Sequence, residues 1–497
     1  MEKTTHKNFI DVFLQMRNSK AVRAVNAFLV SPWGICALGA LTLLAHVFAL
    51  EIVLYTLVVL LAVYVSAFGE DLLPILPLFL LCYVSPSMDN NPAISKTSIF
   101  LVGNGLIYLA VILAIALMAI ITRIVVDKNI RSRMFTAKRA LTIGFLVLGL
   151  AYVVSGIGSD KYLETFWKNI LFGFLQFASL FLLYFVFSVS VEWKKVKKEY
   201  FFWAGFVMGM VVLGEILNIY LTNTVVQNGS LVREEIRTGW GIYNNIGAMI
   251  TWGIPCALYL AIHQKHGYVF IVLSVLMLAG VVMSCSRASI VVAVLVFIVG
   301  NILLTIATPY KWNMLSLVAI LGIGALIGIL FFSDELAKLF MRVPDIIKPS
   351  EDGGISFNDS DRFSTYRKGF KAFLKFPIFG DSFYPSGDKP WQVGTIGGVE
   401  QYMAFFPPRW HNTIIQLLAS CGIVGILAYA FHRIQTIILI LKKRNVTTLF
   451  ITLAILALLG MSLLDCHLFN IGPAFFYSIA LTFIEFLPTE KEKENKK

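Results

Sequence analysis

Charged residues are scarce in this sequence. Only 14% of its 497 residues are Asp, Glu, Lys or Arg, whereas 58% are hydrophobic and the mean hydropathy is +0.78. A water-soluble domain cannot bury that much apolar surface, so this class of protein is excluded. The composition instead predicts an all-α polytopic membrane protein.

Cysteine is also rare, and its pattern excludes two kinds of site. The six cysteines stand singly, with neither a disulfide framework nor metal-ligand spacing, so we expect no metal site. The net charge of +12 resides in short basic clusters between apolar runs, which indicates membrane topology rather than nucleic acid as a partner. The charged start of the chain has no continuous apolar core, so we expect no cleavable signal peptide.

Apolar runs close to the length that crosses a bilayer recur along the chain. We predict spans at 33–50, 52–68, 72–86, 99–121, 141–157, 166–189, 200–220, 245–262, 268–284, 287–307, 313–332, 412–432, 447–464 and 471–487. This is about 14 transmembrane helices, with about 12 as the alternative. Only Glu51 separates the first two runs.

Lysine and arginine set the predicted orientation. The short connections that are rich in these residues alternate with connections that have few, which predicts cytoplasmic N- and C-termini. The predicted regions are a cytoplasmic amphipathic segment at 1–32, transmembrane helices at 33–332, a large extracytoplasmic loop at 333–411, further transmembrane helices at 412–487 and a charged cytoplasmic tail at 488–497.

The large loop contains two amphipathic patterns. Apolar residues recur at helical spacing over 334–347 and over 361–375, and Pro377 and Gly380 end the second helix. The Gly-, Pro- and aromatic-rich stretch from 383 to 408 predicts an ordered loop or a lid over a cleft.

Basic residues that can hold an anion converge on the predicted outer face. They are Arg233, Arg237, Arg287, Arg362 and Arg367, and His411 joins them at the start of a span. Guanidinium groups at a membrane boundary are costly unless paired, and a diphosphate fits their geometry. Plainer roles stay open: Arg287 as an interfacial anchor, Arg233 and Arg237 paired with the two glutamates between them, and His411 as a helix cap.

Three motifs carry a family resemblance. They are RTGWGIYNNIGAMITWGIPCALYL, then VVMSCSRASIVVAVLV, and last DRFSTYRKGFKAFLKFPIFGDSF followed by RWHNTIIQLLASCGIVGIL. Together they span about residues 230–430, and they resemble the O-antigen ligase and polymerase superfamily of bacterial envelope glycan assembly.

The resemblance implies a GT-C-like helical fold and a donor glycan linked to undecaprenyl diphosphate, used without metal or other cofactor. It assigns the diphosphate to Arg237 (or Arg233), Arg287 and Arg362, and the acceptor to His411. Tyr366 stands where the family usually has tryptophan.

The expected chemistry agrees with this assignment. Arginines stabilise the charge of a diphosphate leaving group, and an imidazole can accept the acceptor's proton. Asn412, Glu215 and Asp465 are predicted supporting residues. If His411 is not the base, the next candidates are Asp381, Glu400 and Asp465.

We therefore expect a metal-independent glycosyltransferase of the bacterial inner (plasma) membrane. A polymerase of O-antigen, capsule or exopolysaccharide repeat units comes first, and a ligase that attaches the glycan to a lipid or polymer anchor is the alternative. A lipid-linked oligosaccharide flippase ranks last, because apart from Glu215 the predicted spans are almost uncharged. Expected partners are the lipid-linked donor, a glycan or lipid acceptor, the bilayer and other envelope polysaccharide assembly proteins, but no nucleic acid.

Overall fold

The computed structural model describes most of the chain. The described residues are 15–48, 50–78, 127–136, 138–222, 241–310, 361–385, 391–396, 399–403 and 409–488, with short or isolated positions at 114, 118, 120–121, 123–125, 226–227, 230–231, 236–238, 317, 322, 347–349 and 355–357. The helix predicted at 334–347, Arg233, the tail from 489 and almost all of the spans predicted at 99–121 and 313–332 lie outside them.

Helices account for most of the described residues. They are α1 Lys20–Leu29, α2 Pro32–Val47, α3 Glu51–Phe68, α4 Lys128–Thr136, α5 Thr142–Val153, α6 Tyr162–Phe177, α7 Leu183–Ser190, α8 Glu199–Leu221, α9 Tyr243–His263, α10 Gly267–Met283, α11 Arg287–Ala307, α12 Asp361–Lys375, α13 Thr413–Lys442, α14 Val446–Ser462 and α15 Ile471–Phe486. A π-helical turn, Ala178–Leu182, joins α6 to α7, and a 3-10 turn, His467–Phe469, precedes α15.

Short antiparallel hairpins lie in the connections between helices. The pairs are β1 Val226–Gln227 with β2 Ser230–Leu231, β3 Arg237–Thr238 with β4 Gly241–Ile242, β5 Ile347–Pro349 with β6 Ile355–Phe357, and β7 Trp391–Ile396 with β8 Val399–Met403. The last two pairs belong to the predicted large loop. The all-α prediction therefore describes the membrane part, and the connections add these hairpins to it.

The membrane-spanning character of the chain is confirmed. Five described helices or continuous helix pairs are long and apolar enough to cross a membrane, and α1 with α2, bent by 71° between them, would make a sixth. Shorter apolar helices stand at several other predicted spans. Most of the predicted bounds lie within a few residues of a helix, and 287–307 coincides with α11. Helix α13 continues to Lys442, beyond the predicted span 412–432, and the described part of the span predicted at 72–86 is helical only from residue 75. The total of 14 spans stays a prediction.

Helix α9 forms the centre of the bundle. It contacts α8, α10, α11 and α14, and it is the most buried of the long apolar helices. The Trp252 ring stacks on Phe476 of α15 with centroids 4.7 Å apart. Gly209 of α8 and Gly253 of α9 let the two helices approach closely, because a Cβ on Gly253 would lie 3.2 Å from the Gly209 Cα atom.

The amphipathic helix predicted near the N-terminus is present as α1. Met16, Val25 and Phe28 are exposed around it, as is Trp33 at the start of α2. Helix α1 is bent by 71° from α2. Exposed apolar residues on such a helix are typical of a helix at a membrane surface, and the cytoplasmic surface location of residues 8–29 stays a prediction.

Candidate functional site

The long helix α13 is broken at Gly422, where φ is +63° and ψ is −154°. The break leaves backbone N–H and C=O groups of α13 without partners in their own helix, and the segment that follows α12 forms hydrogen bonds with them. Three backbone hydrogen bonds join the segments: Ile423 N to Pro377 O (2.8 Å), Val424 N to Ile378 O (3.2 Å) and Asp381 N to Ala419 O (2.7 Å). The loop helix α12 is therefore fixed to the membrane helix α13 through the main chain.

Two glycines permit this crossing. Gly380 has φ of +72°, and a Cβ there would lie 2.4 Å from the Ser420 carbonyl carbon. A Cβ on Gly422 would lie 2.4 Å from the Ile378 carbonyl oxygen. Each position thus combines a left-handed backbone with a contact that leaves no room for a side chain. The crossing explains the Pro-x-x-Gly and Gly-x-x-Gly elements of the sequence motif.

Gly422→Ala should destabilise the protein more than Gly158→Ala does. Both glycines have positive φ, but a Cβ on Gly158 meets nothing within 4 Å. The Gly158 variant should therefore be destabilised only by the strain of alanine in a left-handed conformation, about 1–2 kcal/mol. The Gly422 variant should be destabilised further, because its methyl group would disrupt the contact with the segment after α12. Melting temperatures of the purified variants in detergent measure the difference, and equal shifts would show that the contact at Gly422 adds nothing.

His411 immediately precedes the cap of α13 in a left-handed backbone conformation, with φ of +51°. The hydroxyl of Tyr366, on α12, donates to the His411 carbonyl oxygen at 2.9 Å. Asn412 caps α13 through its Oδ1, and its Nδ2 donates to the Leu463 carbonyl oxygen at 2.7 Å. A non-glycine residue held in this strained region by its neighbours is typical of functional sites.

Asp465, in the connection between α14 and α15, contacts the imidazole directly. His411 Nδ1 lies 3.3 Å from Asp465 Oδ1, and the Cys466 N–H donates to the same oxygen at 2.7 Å. Burial by itself would raise the pKa of Asp465, but the His411 hydrogen bond, nearby His467 and the Cys466 N–H together hold that pKa well below its ordinary value. We refer to His411 and Asp465 as the His–Asp pair.

The ionised carboxylate fixes the roles of the ring nitrogens. An ionised carboxylate only accepts hydrogen bonds, so His411 Nδ1 must carry the hydrogen. In the neutral ring, Nε2 then has a free lone pair that can take a proton. The imidazole is 40% exposed and the carboxylate only 17%, so a reactant can reach the ring while Asp465 stays shielded.

A chain of polar side chains connects the His–Asp pair to the start of α11. Asn244, at the start of α9, places its Nδ2 3.5 Å from Asp465 Oδ2. The Ser286 hydroxyl donates to Asn244 Oδ1 at 2.9 Å and also caps α11. Half-buried Arg287 is the first residue of α11. Arg287, which was predicted to bind an anion, therefore directly follows Ser286, and the Ser286 side chain is linked to the pair through Asn244.

The other predicted arginines lie at different distances from this cluster. Arg362, at the start of α12, donates from Nη1 to the Leu464 carbonyl oxygen at 3.0 Å, next to Asp465 in the chain. The backbone of Arg237 pairs with Ile242 in the hairpin that leads into α9. Arg367 is exposed on α12, one residue after Tyr366. The structure therefore brings Arg362 to the pair and leaves Arg367 at the surface.

Glu215, a predicted supporting residue, does not join this cluster. It forms an ion pair with His46 of α2, and both side chains are almost fully buried. A carboxylate inside a membrane bundle requires such a partner. The contact therefore joins α8 to α2.

Asp381 also lies in a different environment. Its nearest charged groups are Lys375, which is paired with Asp160, and Asp160 itself. Burial raises the pKa of Asp381 to about 6, with Lys375 opposing the rise and Asp160 adding to it. Of the alternative bases, Asp465 is the one in contact with His411, and Glu400 lies on β8.

Two basic residues near the pair were not predicted as site residues. Buried His467 faces Asp465, and burial lowers the pKa of His467 although Asp465 opposes this. Arg409 donates to the Phe469 carbonyl oxygen at 3.0 Å and to Asn470 Oδ1 at 3.1 Å. Arg409 is the first residue of the motif RWHN, which was its sequence signal, and His467 had none.

A histidine–aspartate pair beside arginines, at one end of a membrane helix bundle, defines a class of site that can deprotonate a hydroxyl and hold an anionic leaving group. Residues 272–430 match the family model described as O-antigen ligase. This match confirms the resemblance to the O-antigen ligase and polymerase superfamily, and it includes Arg287, Arg362 and His411. Together with the apolar helices it supports a multi-pass membrane enzyme of the ligase and polymerase type. No curated protein matches the sequence.

Proposed function

We propose that this protein is a membrane glycosyltransferase that polymerises envelope glycan repeat units from an undecaprenyl-diphosphate-linked donor. The observation that carries the proposal is the contact between His411 and Asp465, with Arg362 bound beside it and Arg287 linked through Ser286 and Asn244. In this proposal His411 is the base, and Arg362 and Arg287 are the groups that bind the diphosphate.

The proposed reaction is a displacement at the anomeric carbon of the donor. The acceptor hydroxyl oxygen bonds to that carbon while its proton passes to His411 Nε2. The bond from the carbon to the diphosphate oxygen breaks, and its electron pair leaves with undecaprenyl diphosphate. Asp465 stabilises the imidazolium that forms. Arg287 and Arg362 stabilise the charge of the leaving group.

No acid is needed to protonate this leaving group, unlike in ordinary glycoside hydrolysis. The arginines also supply the positive charge that a metal ion would otherwise provide, so we expect activity to persist in the presence of EDTA. In this scheme His411 accepts the proton and Asp465 is its hydrogen-bond partner.

The site is proposed to face outwards, on the outer side of the inner membrane. The lysine-rich segment between α7 and α8 and the basic turn between α13 and α14 lie at the other helix ends, and such clusters are typical of the cytoplasmic side. In a cysteine-free background, a cysteine at exposed Lys371 should label from outside in intact cells, and one at exposed Lys195 should not. The reverse result would invert the orientation.

Purified protein supplied with lipid-linked repeat units tests the function. We expect a ladder of longer lipid-linked glycans and release of undecaprenyl diphosphate. His411→Gln protein is the matched negative control. Failure of the wild-type protein to consume the donor with any glycan or lipid acceptor would overturn the proposal.

Ligase activity is the second candidate, and the description of the matched family favours it. A ligase would transfer the glycan to a lipid or polymer anchor and leave repeat units unpolymerised. In cells, loss of the gene distinguishes the two candidates. Single capped units in place of long chains indicate a polymerase, whereas accumulated lipid-linked polymer indicates a ligase.

A further inference from the structure

We propose that Asn244 is a positioning residue that sets the orientation of Asp465 and couples the base to the donor-binding turn at Arg287. This inference rests on the proposed function. Asn244 is 5% exposed, and its amide lies between Asp465 Oδ2, at 3.5 Å from Nδ2, and the Ser286 hydroxyl, at 2.9 Å from Oδ1. One buried side chain therefore contacts both halves of the site.

Two serines determine which way the Asn244 amide points. Ser289 Oγ donates to Ser286 Oγ at 2.7 Å, and the Ser286 hydroxyl in turn donates to Asn244. The Asn244 oxygen is the acceptor of this chain, so its NH₂ group faces Asp465. The opposite orientation would set an amide oxygen against an ionised carboxylate, which is electrostatically unfavourable. The alignment thus follows from the order of donors and acceptors.

The close approach of α9 to the start of α11 keeps this chain short. A Cβ on Gly247, one helical turn after Asn244, would lie 2.3 Å from Ser289 Oγ. All three polar side chains are almost completely buried, so water does not compete for their hydrogen bonds. Movement of Ser286 would therefore move Asn244 as well.

The carboxylate of Asp465 needs a partner on each oxygen to keep one orientation. Oδ1 accepts from His411 and from the Cys466 N–H, and Asn244 lies at Oδ2. Without the Asn244 amide, Oδ2 loses its donor and the carboxylate can rotate away from the imidazole. Ser286 also caps the helix that begins with Arg287, so the same side chain contacts Asn244 and holds the first turn of α11.

Asn244→Ala should lower kcat for transfer by about 10- to 100-fold, the usual effect of a displaced catalytic group. The KM for the lipid-linked donor should change less than threefold, because the arginines remain. Asn301→Ala is the matched control, since Asn301 is a buried asparagine further along α11 whose side chain donates to the Phe297 carbonyl oxygen of its own helix. It should retain wild-type kcat.

A double-mutant cycle separates positioning from a general structural role. If Asn244 acts through Asp465, then Asn244→Ala should cause little further loss in an Asp465→Asn background. An equal fold-loss in both backgrounds would overturn the proposal. A variant that damages only folding would instead lower the melting temperature and the yield of active protein without this dependence on Asp465.

Serine variants keep the test decisive if Asn244→Ala does not fold. Ser286→Ala should reproduce the loss of kcat, and Ser286→Thr, which keeps the hydroxyl, should restore most of it. Equal activity of the two variants would contradict the proposed orientation of the amide. Failure of the proposed function itself would look different, because the wild-type protein would then not consume the lipid-linked donor with any acceptor.

Discussion

His411→Gln should reduce turnover by about 10²–10⁴-fold, the contribution of a positioned general base. Glutamine keeps a polar side chain of similar length and can still contact Asp465, but it cannot accept the acceptor's proton. Donor binding should be retained, because the arginines carry the diphosphate. Initial rates with purified protein and lipid-linked donor measure the first effect, and equilibrium binding of undecaprenyl diphosphate measures the second.

A histidine away from the site gives this prediction its control. His263→Gln, at the other end of α9, is the matched control and should retain wild-type turnover. Near-normal turnover of His411→Gln would show that another group is the base, and Asp465 would be the first to test.

The helix boundaries were predictable because their signals are local. Helix α12 begins at Asp361 and ends at Lys375, the bounds that the amphipathic pattern predicted, since the apolar spacing stops there and Pro377 follows. Helix α11 likewise begins directly after its Ser286 cap. Such boundaries depend on residues a few positions apart in the chain.

The break in α13 was only half predictable. The sequence showed glycines at 422 and 425, but one continuous apolar run surrounds them and predicted a single helix. The break becomes favourable because the segment after α12 satisfies the freed backbone groups. The segment that supplies this stabilisation lies about 40 residues earlier in the chain, so the local sequence around Gly422 could not predict it.

The site shows the same limit more clearly. The basic residues and His411 were predictable from their types and their common face of the membrane. The contacts that orient them were not: Asn244 and Asp465 are 221 positions apart. Tyr366 was recognised as a departure from the family, and the structure supplies its role as a donor to the His411 carbonyl oxygen.

Arg287→Ala should lower kcat/KM for the lipid-linked donor by about 10²–10³-fold, the loss typical of one preorganised group that stabilises transition-state charge. Arg287→Lys should restore only part of the activity, because lysine keeps the charge but lacks the guanidinium fork that binds two phosphate oxygens. Arg444→Ala, which removes an exposed arginine at the opposite helix ends, is the matched control and should have wild-type kinetics.

The helix dipole opposes an arginine at this position. Arg287 is the first residue of α11, and a cation near the positive end of a helix dipole is unfavourable by about 0.3–1 kcal/mol. The melting temperature of Arg287→Ala should be measured beside its activity, because loss of activity in a protein that melts as the wild type does would identify a role at the anion rather than in stability. Full activity of Arg287→Ala would instead mean that the side chain only anchors the helix end at the membrane surface, and the diphosphate site would then have to be built from Arg362 and its neighbours.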